Sequence, residues 1–153
     1  MYTYAEQLLR IVNKYIADGQ PWPATARQIA AWPIDNKIWQ AQPSHLINQC
    51  AEQLARAMRD EYTIDPQGRT VRAKHAARIE QDGEQLVLWA DIRTASREHM
   101  QIAFQQRRHQ IVGDCRQLKA DVDSYNDHRA PDAPIQMTFD FTADIEELEA
   151  LAV

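Results

Sequence analysis

Cysteine is nearly absent from this chain of 153 residues, with Cys50 and Cys115 the only two. They form no disulfide framework, and a cytoplasmic protein with reduced thiols is the default expectation. No apolar run approaches the roughly eighteen residues of a membrane span. The start, Met1-Tyr2-Thr3-Tyr4-Ala5-Glu6, carries no basic leader or apolar signal region. Glycine is also scarce, at four residues against seven prolines. There is no Gly-rich phosphate loop and no Gly-x-Ser-x-Gly nucleophile elbow. His45, His75, His99, His109 and His128 are scattered and do not match metal-ligand spacing. The paired carboxylates of the acidic tail are expected to be too exposed for catalysis, and Cys50 sits on an apolar helical stripe. No catalytic residue, metal or cofactor is therefore expected, and the chain reads as a non-enzyme.

The charge is unevenly spread. The net value is -5, from 17 basic and 22 acidic residues. Nine of the acids lie from Asp121 onward, against one base, Arg129, which leaves 16 basic and 13 acidic residues before that point, a net of +3. A mildly basic body thus precedes an acidic tail, an asymmetry that fits partner binding or autoinhibition as well as simple solvation.

Low glycine and long stretches rich in Ala, Gln, Glu and Arg favour helix. The pattern predicts a first helix over 4–18, opened by a Thr3/Glu6 capping box and stopped at Gly19. A second starts at the Thr25 N-cap and ends or kinks at Trp32, ahead of Pro33. A third runs from a Ser44 N-cap over 44–61, burying Ile47, Cys50, Ala51, Leu54 and Met58. A hairpin follows, with strands at 62–64 and 69–75 around the turn Asp65-Pro66-Gln67-Gly68. A second hairpin turns at Asp82-Gly83. The next helix covers 94–126, and Phe104, Arg108, Ile111, Cys115, Leu118, Val122 and Tyr125 form a heptad seam broken by one charge. A loop over 129–134, a short strand over 135–141 and an acidic amphipathic end complete the chain.

The fold class expected is mostly α with a small antiparallel β-hairpin. The domain plan is a unit over 1–91, a helical packing or dimerisation segment over 92–128, and an acidic tail with a short strand over 129–153. Three helices followed by the basic ribbon Arg69-Thr70-Val71-Arg72-Ala73-Lys74-His75-Ala76-Ala77-Arg78 resemble the winged helix-turn-helix of DNA-binding regulators over residues 3–78. The resemblance rests on element order and charge placement, and the connection through Pro33 to Pro43 is longer than the family's tight turn. It implies a supporting helix at 25–32, a recognition helix at 44–61 and a wing at 63–74. Ser44, His45, Asn48, Gln49 and Gln53 would then reach base edges. Arg27, Arg56, Arg69, Arg72, Lys74 and Arg78 would contact phosphates. Duplex DNA is the expected partner, and a transcriptional or replication-associated regulator the expected role. Acidic Glu52, Asp60, Glu61 and Asp65 near the same face oppose it.

Ile111, Cys115, Leu118, Val122 and Tyr125 serve either a homodimer or packing within the chain. Arg107, Arg108, Arg116 and Lys119 make either a second phosphate-contacting surface or a solvated face. Gln85-Leu86-Val87-Leu88-Trp89 and Gln136-Met137-Thr138-Phe139-Asp140-Phe141 are similar to the short peptides with which bacterial replication proteins bind the sliding clamp. Each is equally explained as a strand of the fold. They carry the alternative to DNA binding, a non-enzymatic protein-interaction adaptor acting through its apolar helical face and acidic tail, with a replication clamp or other protein bound through residues 136–141.

Overall fold

The computed structural model describes residues 1–129 and 132–152, with Ser44 described by its backbone alone. Contacts divide the chain into two units, Met1–Ala55 and Arg56–Val153, so the boundary falls inside the third helix. The protein is mostly helical, with two separate two-stranded antiparallel sheets. Among the described residues no helix is long and apolar enough to cross a membrane.

In the first unit, α1 spans Tyr4–Ala17 and α2 spans Ala26–Asp35, and each opens on a reciprocal capping box. The Thr3 hydroxyl accepts from the Glu6 amide at 3.1 Å while the Glu6 carboxylate accepts from the Thr3 amide at 2.8 Å. Thr25 and Gln28 repeat the exchange, so orphan donors at both N-termini are satisfied. Gly19, at φ +78, ends α1 in the left-handed region. The two helices meet through Tyr15, only 2% exposed, whose ring packs edge-on against Trp32 and whose hydroxyl donates to the Pro21 carbonyl at 2.6 Å. The expected stop at Trp32 is corrected, because α2 continues through Pro33 to Asp35. Proline removes one donor near the end of a short helix. The Asn36 amide bonds to the Trp32 carbonyl, and the amides of Ile38 and Trp39 both reach the Pro33 carbonyl, which completes the last turn.

Helix α3, Leu46–Arg59, follows a 3-10 turn over Pro43–His45. Ser44 therefore lies inside that turn and is not the N-cap. The expected buried stripe is also corrected, since Ile47 is 83% and Leu54 58% exposed, Cys50 and Ala51 are exposed, and α3 has no buried residue. Amphipathic spacing marks a face able to pack but names no partner for it, and the apolar side of α3 stays exposed.

The second unit begins with the end of α3 and a short hairpin, β1 (Tyr62–Ile64) and β2 (Thr70–Arg72), in the register Thr63↔Val71. Its turn is organised by Asp65, whose carboxylate accepts from the amides of Gln67 and Arg69 and from the Arg69 guanidinium. The expected single strand over 69–75 is broken at Ala73, which is 1% exposed and changes partner, its amide donating to Glu61 and its carbonyl accepting from Ile92. Lys74 thus opens the second hairpin, β3 (Lys74–Gln81) with β4 (Glu84–Asp91), rather than ending the first. The Asp82-Gly83 turn has φ of 51 and 80, as a two-residue type I′ hairpin requires.

Helix α4 spans Arg97–His128, 32 residues or about 48 Å, and starts three residues later than expected, at the Ser96 N-cap. Its first turns pack on β3. His75 is 7% exposed, meets Phe104 edge-on and donates from Nε2 to the Arg72 carbonyl at 2.8 Å. His99 Nε2 donates to the His75 carbonyl at 2.9 Å. Both rings face carbonyl acceptors, so each carries a proton on Nε2. Ala77 and Ala103 complete this small core. Farther along, Ile111, Leu118 and Tyr125 stay exposed, with Cys115 and Val122 half-buried.

The expected loop over 129–134 lies partly outside the described residues. The strand expected over 135–141 is absent, because this stretch is irregular and joins no sheet. It is held at its ends instead. The Asn126 amide exchanges two 2.9 Å hydrogen bonds with the backbone of Ile135, and Asp140 accepts from the amide and hydroxyl of Thr142 at the start of α5, Thr142–Leu151.

Candidate nucleic-acid interface

The outer face of the β3–β4 hairpin and the flank of α4 enclose an open groove of about 940 Å³. Alternation along the strands decides its floor. His75, Ala77 and Ile79 belong to one face with their cross-strand partners Ala90, Leu88 and Leu86. Lys74, Ala76 and Arg78 belong to the other with Asp91, Trp89 and Val87, and Ala76, Val87 and Trp89 line the groove. Its basic residues come from four elements: Arg59 from α3, Arg72 from β2, Lys74 and Arg78 from β3, and Arg107 from α4.

One contact sets the helix beside the strand. The Gln106 side chain donates to the Arg78 carbonyl and accepts from the Arg78 amide, both at 2.7 Å. It does for the free edge of β3 what a neighbouring strand would do, and it fixes the adjacent Arg107 alongside the hairpin.

The electrostatics sort the cations into two groups. Lys74 is neutralised by Glu61 at 2.9 Å and Asp91 at 3.4 Å, and the Glu61 contact foremost raises its pKa above the ordinary lysine value. Asp91 also accepts from Arg93, which holds its carboxyl far below the usual range. Arg69 is paired with Asp65 at 2.7 Å, and Lys119 with Asp123 at 2.7 Å. Among the described residues Arg59, Arg72, Arg78 and Arg107 make no ion pair. Among the described residues Asp114 is the carboxylate that lines the groove. Burial and the nearby Arg72 guanidinium press the Arg107 pKa below its ordinary value, with Tyr62 opposing. An arginine keeps its charge in a protein, so Arg72 and Arg107 concentrate positive charge that no ion pair among the described residues compensates. Arg59 lies 5.9 Å from the centre of the Trp89 ring.

Of the phosphate contacts expected from sequence, the groove gathers Arg72, Lys74 and Arg78, while Arg69 is tied into the β1–β2 turn and Arg27 and Arg56 are exposed elsewhere. It adds Arg107, noted in the sequence only as one of a basic group, and Arg59, which carried no signal beyond its polar helical position. The expected base-reading residues His45, Asn48, Gln49 and Gln53 are exposed in the first unit, with His45 edge-on to Tyr4. The Ser44 side chain lies outside the described residues. Of the two glutamine-led peptides, Gln85 to Trp89 forms part of β4 with its backbone paired to β3. The second presents Met137, 51% exposed, and Phe141, 39% exposed, outside any helix or strand. Comparison of the chain with family models, with curated proteins and with solved structures returned no match.

Proposed function

We propose that this is a non-enzymatic DNA-binding protein, a regulator of transcription or replication, whose phosphate contacts come from the arginine groove of its second unit. The observation carrying the reading is four arginines converging on one groove with no ion pair to any of them among the described residues. Keeping uncompensated charges of one sign together is unfavourable for the free protein, and a polyanion relieves it while releasing counterions. Arginine's fixed fork of donors suits phosphate oxygens. Exposed Asn48, Gln49 and Gln53 on α3 are the amide side chains that pair with adenine in a major groove, so duplex DNA is the substrate assigned to the first unit.

The test is fluorescence anisotropy with labelled duplex DNA over a salt series. Each lost phosphate contact lowers the slope of log affinity against log salt by about 0.9, so R72Q/R107Q lowers it by nearly 2 and weakens binding to every sequence. Changes at Arg69 or Lys74 have smaller effects because each already has a carboxylate partner. An unchanged slope in R72Q/R107Q refutes the groove assignment.

A second reading, a protein-interaction adaptor, draws on the exposed apolar stripe of α3 and the irregular segment presenting Met137 and Phe141. Binding of a replication clamp or another protein through residues 136–141, with no affinity for DNA, would select it.

A further inference from the structure

The floor of the groove is apolar and aromatic where its walls are cationic. On this face of the hairpin Ala76 stands opposite Trp89, and Val87, 51% exposed, stands opposite Arg78. Trp89 is half-buried, and the residue standing across from its indole on β3 is only an alanine. The group closest over the ring is Arg59, whose guanidinium sits 5.9 Å from the ring centre and has no carboxylate holding it there among the described residues. A planar cation over an indole marks a slot that another flat π system can share or take over.

Duplex DNA matches such a floor poorly, since its bases are paired and stacked inside and its outer surface is sugar and phosphate. An unpaired strand offers flat base faces and phosphates together, the pairing of chemistries found in grooves that combine stacking platforms with basic tracks. Resting on the nucleic-acid reading above, we propose that this groove takes an unpaired stretch of nucleic acid, with a base against Trp89 and the flanking phosphates on Arg72 and Arg107. Arg59 and Arg78 then lie where the strand enters and leaves. Stacking does not select base identity, because every base has a π face.

The experiment uses the full chain and two labelled probes at one low salt concentration, a short oligothymidylate and a duplex of equal length. The oligothymidylate is expected to bind more tightly. Trp89→Leu weakens it by about tenfold, the loss of one stacked base, and changes duplex affinity less than twofold. Trp89→Phe retains most of the affinity, which separates loss of stacking from loss of fold, and circular dichroism of each variant checks the hairpin. Duplex binding without preference for the single strand, or equal weakening of both probes by Trp89→Leu, overturns the inference and leaves the DNA reading standing. Failure of both probes to bind overturns both.

Discussion

Gln106 is the residue on which the groove's geometry turns, and its removal has a calculable cost. Its amide makes two 2.7 Å hydrogen bonds to the backbone of Arg78, and an ordinary intramolecular hydrogen bond contributes roughly 1 kcal/mol net. Gln106→Leu keeps a good helix former at the position but removes both bonds, for a loss of about 2 kcal/mol where water re-solvates the strand edge. Gln106→Glu keeps an acceptor for the Arg78 amide and loses the donor to its carbonyl, so about half of that loss is expected. If the helix separates from the strand locally, 2 kcal/mol corresponds to about a 30-fold rise in opening, since about 1.4 kcal/mol is a factor of ten. The assay is amide hydrogen exchange resolved to Arg78 and its neighbours. Protection at Arg78 should fall about 30-fold in Gln106→Leu and by roughly a third to a tenth of that factor in Gln106→Glu. On the proposed DNA-binding function, affinity for DNA should fall as well, because Arg107 is no longer fixed beside Arg72. Unchanged protection in Gln106→Leu refutes the claim that this side chain closes the β3 edge.

Two further outcomes follow from the same framework. Gly83→Ala should destabilise the second hairpin by about 1 kcal/mol in chemical denaturation: a Cβ there meets nothing within 4 Å, so the penalty is that of the left-handed φ of +80 alone. Acid should loosen the junction between the hairpins, because Arg93 and then Lys74 depress the Asp91 pKa. A depressed carboxyl contributes its stability in full above its unfolded value near 4 and loses it as pH falls toward the folded value, so wild type should weaken progressively below about pH 4, while Asp91→Asn should be weaker at neutral pH and lose less on acidification. A parallel acid response in both proteins contradicts this.

The local features were legible in the sequence because their causes are local. Thr3 with Glu6, Thr25, Gly19 and Asp82-Gly83 each specify a cap or turn within a few residues, and each forms as expected. Pro33 misled because the cost of proline depends on its place in the helix, and here neighbouring amides take up the acceptors of the last turn. The stripe on α3 misled because periodicity gives a face without giving its partner, and Ile47 and Leu54 remain exposed. The groove was half legible. The basic ribbon showed that cations were concentrated, but which of them are neutralised depends on Glu61 and Asp91 reaching Lys74 across turns in the chain. Arg59 and Arg107 join Arg72 only because a helix end, a hairpin and a second helix converge, and the Gln106 contact that sets α4 beside β3 has no sequence signature.

The partner change at Ala73 has a consequence for the order of assembly. Its amide is committed to Glu61, the residue before β1, and its carbonyl to the residue after β4, so one residue is the last rung of one ladder and the first of the other. Neither hairpin can slip its register without dragging this shared rung, and a shift of one residue would turn every side chain to the opposite face. The two small sheets are therefore expected to zip as one cooperative ribbon, and a side chain larger than alanine at this 1% exposed position should uncouple them, so that the two hairpins melt separately instead of together.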